Sequence, residues 1–506
     1  MKKTIVIVLL TMSFFGRVSA QISNTMYFMD RLPQSTLINP AQTPECKFYM
    51  GGLLVPFTGQ MMPSIELGIN LPVDYNDVIF HGEGEYADSL ITPLHPTANI
   101  DDFLNKLRKV NYISTDVQLS LLTFGFRTGE KGFFTFDLSE RMFGNVGLPK
   151  SLFEFAAKGN DVVRNADFRG LGVNTMYYHQ LAFGYKQQVS KTFALGLRAK
   201  FLIGVANVST ASSKLVLITA QKTNYINVES QYIVNTNRPL EVTLNEEGFV
   251  EDVEFTNFDE ESTGSILKKY ALMTGNYGGA IDFGFSKDIN SSITAFGSVE
   301  DLGYISWRQN ASKFALYDED SMKFEGVEIN SFNIDDITDD INLDSIVENF
   351  KEINYEKRAY KTYLPTKVYA GVRYRVAKRI NLGALARFEF LPHKINPSVT
   401  LTANFKPFKF TAATLSYSYI DGNFDNIGLG FTVHPGFIQW FFVSDNLIGA
   451  ILFPANTRSL SLRVGCNMVF GSVQKVGREK EQGGATLMDR RRSKNRGVIP
   501  YDTNYR

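Results

Sequence analysis

Residues 364–471 form a succession of short segments in which apolar and polar residues alternate, with almost nothing between one segment and the next. In residues 367–376 one face carries Val368 and Val372, whereas the opposite face carries Arg373. A period of two predicts a β-strand with one apolar face. The segments keep that face free of charge and put Arg and Glu on the other, which is typical of strands with lipid outside and a polar interior.

Fourteen segments with this alternation follow one another, and we predict that each is a strand. They are residues 46–70, 113–126, 132–141, 176–187, 192–207, 276–287, 291–302, 364–376, 380–391, 395–405, 410–420, 426–433, 437–443 and 460–470. Four long insertions, residues 71–112, 142–175, 208–275 and 303–363, all lie between an odd strand and the next even one, whereas the even-to-odd connections are short. Outer-membrane barrels have short periplasmic turns at one end and long loops at the other. The pattern therefore predicts an all-β membrane protein, a 14-stranded antiparallel transmembrane β-barrel over residues 46–470.

The N-terminus predicts export to the outer membrane. Residues 1–20 have a basic start, an apolar stretch and small final residues, as in a secretory signal peptide, and we expect cleavage after Ala20. The residue directly after that position is Gln21 and not a cysteine, so we do not expect an N-terminal lipid anchor. No later segment has the ~18 uncharged apolar residues of a membrane helix. Residues 21–45 are irregular, and we expect them to form a plug inside the barrel.

The long loops carry short amphipathic segments that predict helices at the extracellular mouth. They are residues 100–112, 148–158, 265–272 and 343–355. Such helices either cap the mouth for structural reasons or act as a moving gate. Residues 471–506 are polar, with nine Lys or Arg against four Asp or Glu, and predict a flexible periplasmic tail. The alternative is that the tail or the loops dock on a protein partner in the periplasm or outer membrane.

The chain has two cysteines, Cys46 and Cys466, which excludes a disulfide scaffold and a cysteine-rich metal site. Closing the barrel pairs the first strand with the last, so we expect both residues near the periplasmic rim with their side chains toward lipid. They form a disulfide if the two strands place them directly opposite each other. Otherwise they are two free thiols that serve as small apolar side chains.

The overall charge and the absence of motifs restrict the class of function. Removing Lys2, Lys3 and Arg17 with the signal peptide takes the 52 Lys and Arg to 49, against 52 Asp and Glu, a net charge of −3. We therefore do not expect a nucleic acid partner. The sequence has no recognisable nucleophile with its base, phosphate-binding loop or metal-ligand motif. We predict a protein that is not an enzyme and that binds no metal or cofactor.

The alternation of the strands places eleven charged residues in the lumen. They are Asp116, Asp137, Arg198, Lys200, Asp282, Glu300, Arg373, Arg375, Arg387, Glu389 and Arg463. A barrel of fourteen strands is too wide for side chains alone to fill it. Because an unpaired buried charge is costly, these residues either pair across the interior around a plug or line a polar passage.

Two stretches of the chain resemble a known family. Residues 24–35, followed by Asn39, Pro40 and Ala41, and residues 462–471 resemble a family of Bacteroidota outer-membrane barrels of unassigned function. More distantly, the Asn-Pro-Ala motif before the first strand and the count of fourteen strands resemble the long-chain fatty-acid transporter (FadL-like) superfamily. That superfamily includes transporters of hydrophobic compounds and a shuttle protein of type IX secretion.

The resemblance implies a barrel in contact with outer-membrane lipid that binds or transports a small hydrophobic or amphipathic compound. The ligand-binding residues of those transporters have no matching motif in this sequence. The alternative is a non-transporting component of an outer-membrane assembly or secretion system, in which the large loops and the basic tail are docking surfaces.

Overall fold

A computed structural model describes most of the chain. The described residues are 24–52, 64–93, 95, 97–219, 226–237, 240–246, 248–255, 275–317, 322–324, 353–392, 394–420, 422–452 and 457–472. The expected signal peptide, residues 1–20, and residues 473–506 of the expected tail lie outside them.

Fourteen antiparallel strands form the wall of a barrel. They are β1 (Cys46–Gly51 and Ser64–Asn70, with residues 53–63 outside the described part), β2 (Val110–Thr128), β3 (Gly132–Pro149), β4 (Gly172–Ser190), β5 (Phe193–Thr219), β6 (Tyr277–Asp288), β7 (Ile293–Trp307), β8 (Thr366–Ala377), β9 (Ile380–Leu391), β10 (Lys394–Phe405), β11 (Thr411–Ile420), β12 (Asn423–Val433), β13 (Ile438–Ser444) and β14 (Ser459–Ser472).

The wall is closed because each strand pairs with the next and β14 pairs with β1. At this seam Cys46 lies opposite Ser472, and Asn70 lies opposite Ser459. A closed ladder leaves no strand edge, which is the condition for a sheet to stand in a bilayer. The prediction of a 14-stranded antiparallel barrel is confirmed, and every wall strand overlaps a predicted segment.

The disulfide between Cys46 and Cys466 is not formed, since both are free and buried. The seam pairs the predicted strands, but its register puts Ser472 opposite Cys46. On the other side of β14, toward β13, Cys466 lies opposite Trp440. Cys466 is six residues away from the bridging position, about 20 Å along the strand. The expectation that both thiols face lipid is also wrong for Cys46, which packs with Tyr49 and Phe133.

Alternation along the strands separates a lipid side from a lumen side. In β10 the side chains of Val399 and Leu401 are 52% and 56% exposed, whereas Thr400 and Thr402 are buried in the lumen. Apolar residues outside and polar residues inside are what a bilayer and a filled interior require of a strand.

Several strands extend beyond the segments that the alternation predicts. The prediction ended β3 at residue 141 and β5 at residue 207, but the strands end at Pro149 and Thr219. Residues alternate between apolar and polar only where the strand crosses the bilayer. Outside the bilayer the strands remain hydrogen-bonded, so they extend beyond the alternating segments. Shorter strands continue the sheet at the long-loop end: Asn165–Asp167, Ile226–Asn237, Ala311–Tyr317, Met322–Phe324, Asn354–Lys357 and Tyr360–Tyr363. Two small hairpins, Phe80–His81 with Leu90–Ile91 and Leu240–Leu244 with Val250–Phe255, stand apart from it.

Helices occur in the loops, as predicted, but with different bounds. In the described part of the chain they are Tyr75–Val78, α1 (Ile100–Lys106), α2 (Lys150–Val162) and α3 (Leu447–Leu452). The helix predicted over residues 100–112 stops early because Val110 already pairs with Pro149 in the sheet. Residues 265–272 and most of 343–355 lie outside the described part. No helix within the described ranges is long and apolar enough to cross a membrane.

Residues 24–45, here called the plug, lie inside the barrel. They contain two 3-10 helices, Thr25–Phe28 and Pro33–Leu37. A further 3-10 helix, Gly84–Tyr86, is not part of the plug and lies in the first long loop. Nearly all plug side chains are buried against the wall. The plug and the wall form a common apolar core: Met26, Tyr27, Phe28, Met29, Leu32 and Ile38 with Phe296, Tyr369, Leu385, Phe441 and Val443.

Candidate functional site: the plugged lumen

Wall glycines make room for the plug. A Cβ atom on Gly196 would lie 2.2 Å from the carbonyl carbon of Pro40, and one on Gly284 would lie 2.1 Å from Oδ1 of Asn39. Real Cβ atoms do not approach other atoms so closely, so only glycine permits this contact at both positions. The Asn-Pro-Ala motif is therefore seated in a notch of the wall.

Asn39 holds this turn of the plug through hydrogen bonds. Its Nδ2 donates to Tyr27 Oη at 3.0 Å and to the carbonyls of Phe285 and Gly297 at 3.4 Å. Its Oδ1 accepts the backbone N–H of Ala41 at 2.9 Å. One buried side chain thus joins two parts of the plug to β6 and β7.

Charged residues fix the short-turn end of the plug. Asp30 forms ion pairs with Arg373 and Lys406. Glu45 pairs with Lys406 at 2.7 Å and with Arg31 at 3.2 Å. Two plug carboxylates, Asp30 and Glu45, therefore share the wall lysine Lys406, which holds the last residue of the plug beside Asp30.

Directly above the plug, on its long-loop side, buried ion pairs cross the lumen; we call them the charged belt. Lys200 Nζ lies 2.8 Å from Asp282 and 2.5 Å from Asp301. Arg198 lies 3.6 Å from Asp282 and 3.7 Å from Asp137, and it donates to the plug carbonyl of Leu37 at 2.9 Å. The belt thus rests on the plug.

The belt continues around the wall. Arg141 lies 3.9 Å from Asp116 and 3.6 Å from Asp301, and Lys367 lies 3.4 Å from Asp116. Two further pairs complete it: Arg463 with Glu66 at 2.6 Å and Arg387 with Glu389 at 3.3 Å. Pairing of this kind offsets the cost of burying charge.

The eleven charges predicted in the lumen are distributed as follows. Ten are buried in the interior: Asp116, Asp137, Arg198, Lys200, Asp282, Glu300, Arg373, Arg387, Glu389 and Arg463. Arg373 contacts the plug from below, and the other nine lie at or near the belt. Arg375 is only partly buried, because it lies at the irregular end of β8, where the pairing register shifts.

Sequence reasoning missed four members of the belt: Glu66, Arg141, Asp301 and Lys367. Asp301 follows Glu300 and would point outward in a regular strand, yet both are buried. The register between β6 and β7 shifts at this point, and Asp301 has φ 62°. A bulge of this kind turns one extra side chain inward. Arg141 and Lys367 lie on the lumen face that the alternation predicts. Glu66 lies on that face too, but the bend in the first strand prevents the sequence from showing which face its residues occupy.

An apolar cluster lies on the long-loop side of the belt. Its members are Phe143, Met176, Tyr178, Leu202, Ala280, Ile305, Trp307, Ala311 and Leu364, with Tyr360 and Leu391 packed against them. Trp307 is fully buried and donates its indole N–H to Thr362 at 2.8 Å. Along the axis the lumen therefore changes from apolar to charged and then to the apolar core of the plug.

Comparison with known proteins places the chain in a family. A family profile matches residues 40–445, and its description is family of unknown function, DUF5723. The chain belongs to DUF5723. No curated protein matches the sequence.

Solved structures similar to this DUF5723 barrel share very little sequence with it. The Ralstonia pickettii toluene transporter TbuX is 8% identical, covers 87% of this chain and 94% of its own, and has a TM-score of 0.40. A Pseudomonas aeruginosa FadL homologue is 9% identical, with 90% and 100% covered and a TM-score of 0.42. The translocator domain of the Neisseria meningitidis autotransporter NalP is 7% identical, with 85% and 91% covered and a TM-score of 0.32. The fold of this DUF5723 chain is therefore established by its own strand pairing, and not by its similarity to these structures.

Within the described residues, the ladder of this DUF5723 barrel, although closed around the wall, is interrupted on the long-loop side of β13. That strand ends at Ser444, opposite Leu429, whereas β12 continues to Asn423 and β14 to Ser459. The side chain of Asn446 spans the gap, because Oδ1 accepts the N–H of Ile427 at 3.2 Å and Nδ2 donates to the carbonyl of Ser459 at 2.6 Å. One amide side chain thus replaces the ladder there.

Helix α3 follows this bridge and contacts both β12 and β14. Its residues Ile451 and Leu452 are 67% and 59% exposed. The gap is therefore closed by one side chain and a short helix with an apolar outer surface.

Small cavities border the plug and the belt in the described part of the chain. A polar cavity of about 70 Å³ opens at the short-turn end between the plug and the wall, beside Asp30, Gln42, Arg127 and Lys186. A second, of about 10 Å³, lies in the belt beside Asp116, Tyr178 and Lys367, and it has room for one water molecule. In this conformation the plug and the belt fill the lumen.

Proposed function

We propose that this chain is an outer-membrane channel that binds a small hydrophobic or amphipathic compound and moves it across the membrane. The observation that carries the proposal is the plug. It is bonded to the wall at Cys46 and is otherwise held by hydrogen bonds, ion pairs and apolar packing, so its body is able to shift within the lumen without breaking a covalent bond. The lumen of a barrel of fourteen strands is wide enough for a passage when such a segment moves.

The distribution of apolar surface supports the ligand class. The buried cluster around Trp307 forms an apolar layer on the long-loop side of the belt. An apolar molecule crosses a charged belt only at high cost, because the ion pairs would lose partners. The interruption above β13 offers such a molecule a sideways route to the bilayer, past the side chain of Asn446.

The proposal includes the cellular setting. Residues 1–20 direct export and are removed after Ala20, and the barrel stands in the outer membrane with its short turns in the periplasm. Outer-membrane lipid is its surrounding partner. The protein acts by binding and passage, without catalysis and without a cofactor.

A second candidate function is a non-transporting component of an outer-membrane assembly or secretion system. The observation that favours it is the belt itself, whose buried pairs, such as Lys200 with Asp282 and Asp301, fill the lumen above the plug. A barrel that never opens has no need of a passage, and its loops and basic tail then serve as docking surfaces.

Deleting residues 24–45 while keeping the signal peptide separates the two candidates. In a channel, the deletion raises single-channel conductance, and the full chain takes up a hydrophobic fluorescent compound into vesicles. Conductance and uptake equal to those of empty vesicles for both proteins would contradict the proposal. In a second experiment residues 473–506 are deleted, and the proteins that co-purify from native membranes are compared with those of the full chain. Loss of co-purifying proteins, in a chain that takes up no hydrophobic compound with or without these residues, supports the assembly role.

A further inference from the structure

The short-turn end of the barrel is rich in exposed basic residues. Within the described residues at that end, seven exposed side chains are basic: Lys47, Lys131, Lys191, Lys287, Lys378, Arg379 and Lys409. The exposed acidic side chains there are Glu130 and Asp288. The basic residues lie at five of the short connections and at the seam, so they form a ring around the wall. We call this ring the basic rim.

Aromatic side chains accompany the basic rim on the outer surface of the wall. Phe408 and Phe410, on either side of Lys409, are 60% and 48% exposed, and their rings stack 5.5 Å apart. The ammonium group of Lys287 lies 5.8 Å from the ring centre of Phe193. Aromatic rings at this level are typical of the boundary between hydrocarbon and headgroups, where lysine extends its charge toward the polar side.

The long-loop end differs, because there basic residues are matched by carboxylates. Lys106 pairs with Asp77 at 2.6 Å, and Lys158 pairs with Asp101 at 2.6 Å. Hydrogen bonds from a neighbouring arginine, Arg169, hold the pKa of Asp167 below its ordinary value. An excess of exposed positive charge is therefore a property of the short-turn end.

We propose that the basic rim binds the anionic headgroups of phospholipids in the leaflet at the short-turn end. Positive side chains at a membrane surface are attracted to anionic lipid within about 10 Å at ordinary salt. The aromatic rings pack against the acyl chains beside those headgroups. This binding fixes the height of the barrel in the bilayer, and it does not depend on the proposed transport function.

The ring arrangement favours lipid over an acidic protein as the partner. A protein of ordinary size docks on one side of a surface, whereas lipid surrounds the whole wall. Lys131, Lys287 and Lys409 lie at three different connections, each beside the outer surface of the wall. An acidic protein in the periplasm is the other outcome that the experiment distinguishes.

The test compares lipid binding by the full chain and two matched variants. In the rim variant Lys131, Lys191, Lys287, Lys378 and Lys409 are changed to Gln. In the control variant the exposed long-loop lysines Lys106, Lys109, Lys214, Lys357 and Lys361 are changed to Gln. Each protein is reconstituted in vesicles of phosphatidylcholine with a minor share of phosphatidylglycerol. The lipids that remain bound after extraction are then counted by native mass spectrometry.

We expect the full chain and the control variant to retain phosphatidylglycerol several-fold above its share of the vesicle, and the rim variant to lose this enrichment. High salt should reduce the enrichment in the full chain. A rim variant with arginine at the five positions should keep it, and this variant serves if the glutamine variant does not fold. Equal enrichment in the rim and control variants overturns the proposal. So does unchanged enrichment together with the loss of a co-purifying acidic protein, which would assign the rim to a protein partner.

Discussion

The carboxylate of Asp445 accepts the backbone N–H of Thr25 at 2.8 Å, which ties the start of the plug to the end of β13. The other carboxylate oxygen accepts the N–H of Asn24 at 3.0 Å. The next residue, Asn446, is the one that bridges the interrupted wall. The plug is therefore bound by Asp445, and the interruption in the wall is bridged by the next residue, Asn446. Because the two residues are adjacent in the chain, we expect a displacement of the plug to displace the bridge.

Substituting Asp445→Ala should loosen the start of the plug. Two buried N–H groups lose a charged acceptor, and leaving such donors unpaired costs about 1–3 kcal/mol each. We expect faster hydrogen exchange at residues 24–28, with heat-dependent gel mobility of the barrel unchanged. Asp167→Ala, which removes a partly exposed long-loop carboxylate that pairs with Arg169, far from the plug, is the control. Equal exchange in both variants would show that Asp445 does not hold the plug.

A side chain at position 196 should expel the plug from its notch. Gly196→Val places carbon atoms where the Pro40 backbone lies, and overpacking of this kind costs about 1–3 kcal/mol. We expect a higher single-channel conductance than in the unchanged protein. Gly279→Val is the matched control, because a Cβ there meets only the Lys200 carbonyl at 3.6 Å.

The same substitution offers a check on its cause. In a chain that lacks residues 24–45, Gly196→Val should no longer change the midpoint of urea unfolding, since the group it collides with is gone. A persistent loss of stability in that background would mean that the strand, and not the plug, is disturbed.

Removing one partner from the belt should destabilise the barrel. Lys200→Met leaves Asp282 and Asp301 without their shared ammonium group, and breaking a buried pair on one side costs about 3–5 kcal/mol. The free energy of unfolding in urea measures the loss. Lys361→Met, at an exposed position, should change it by less than about 0.5 kcal/mol. A similar small loss for Lys200→Met would indicate that water already screens the belt.

The seam register can be tested with one new thiol. Ser472→Cys, made together with Cys466→Ser, should form a disulfide with Cys46 under mild oxidation. Directly opposite residues of antiparallel strands have Cα atoms about 4.5–5.5 Å apart, within disulfide range. Peptide mapping without reduction identifies the bridge, and the natural pair should stay unlinked under the same conditions. A bridge in the natural protein would refute the register.

Local alternation was enough to predict the wall. The lipid outside and the polar interior act on every residue of a strand in turn, so residues 395–405 reveal both faces of β10 without knowledge of its neighbours. The separation of short turns from long loops likewise follows from the spacing of the segments. Ten predicted lumen charges, among them Asp282 and Arg387, lie inside for this reason.

Tertiary structure decided what depends on contacts between distant parts of the chain. The offset of Cys466 from Cys46 is set by the stagger with which the whole ring closes, and no segment encodes that stagger by itself. Asp301 enters the belt because β7 bulges against β6. The contact between Asn39 and Gly284 forms only when the fold brings together two segments that are more than 200 residues apart in the sequence. A period of two determines which face a side chain is on, whereas three-dimensional closure determines what that side chain meets.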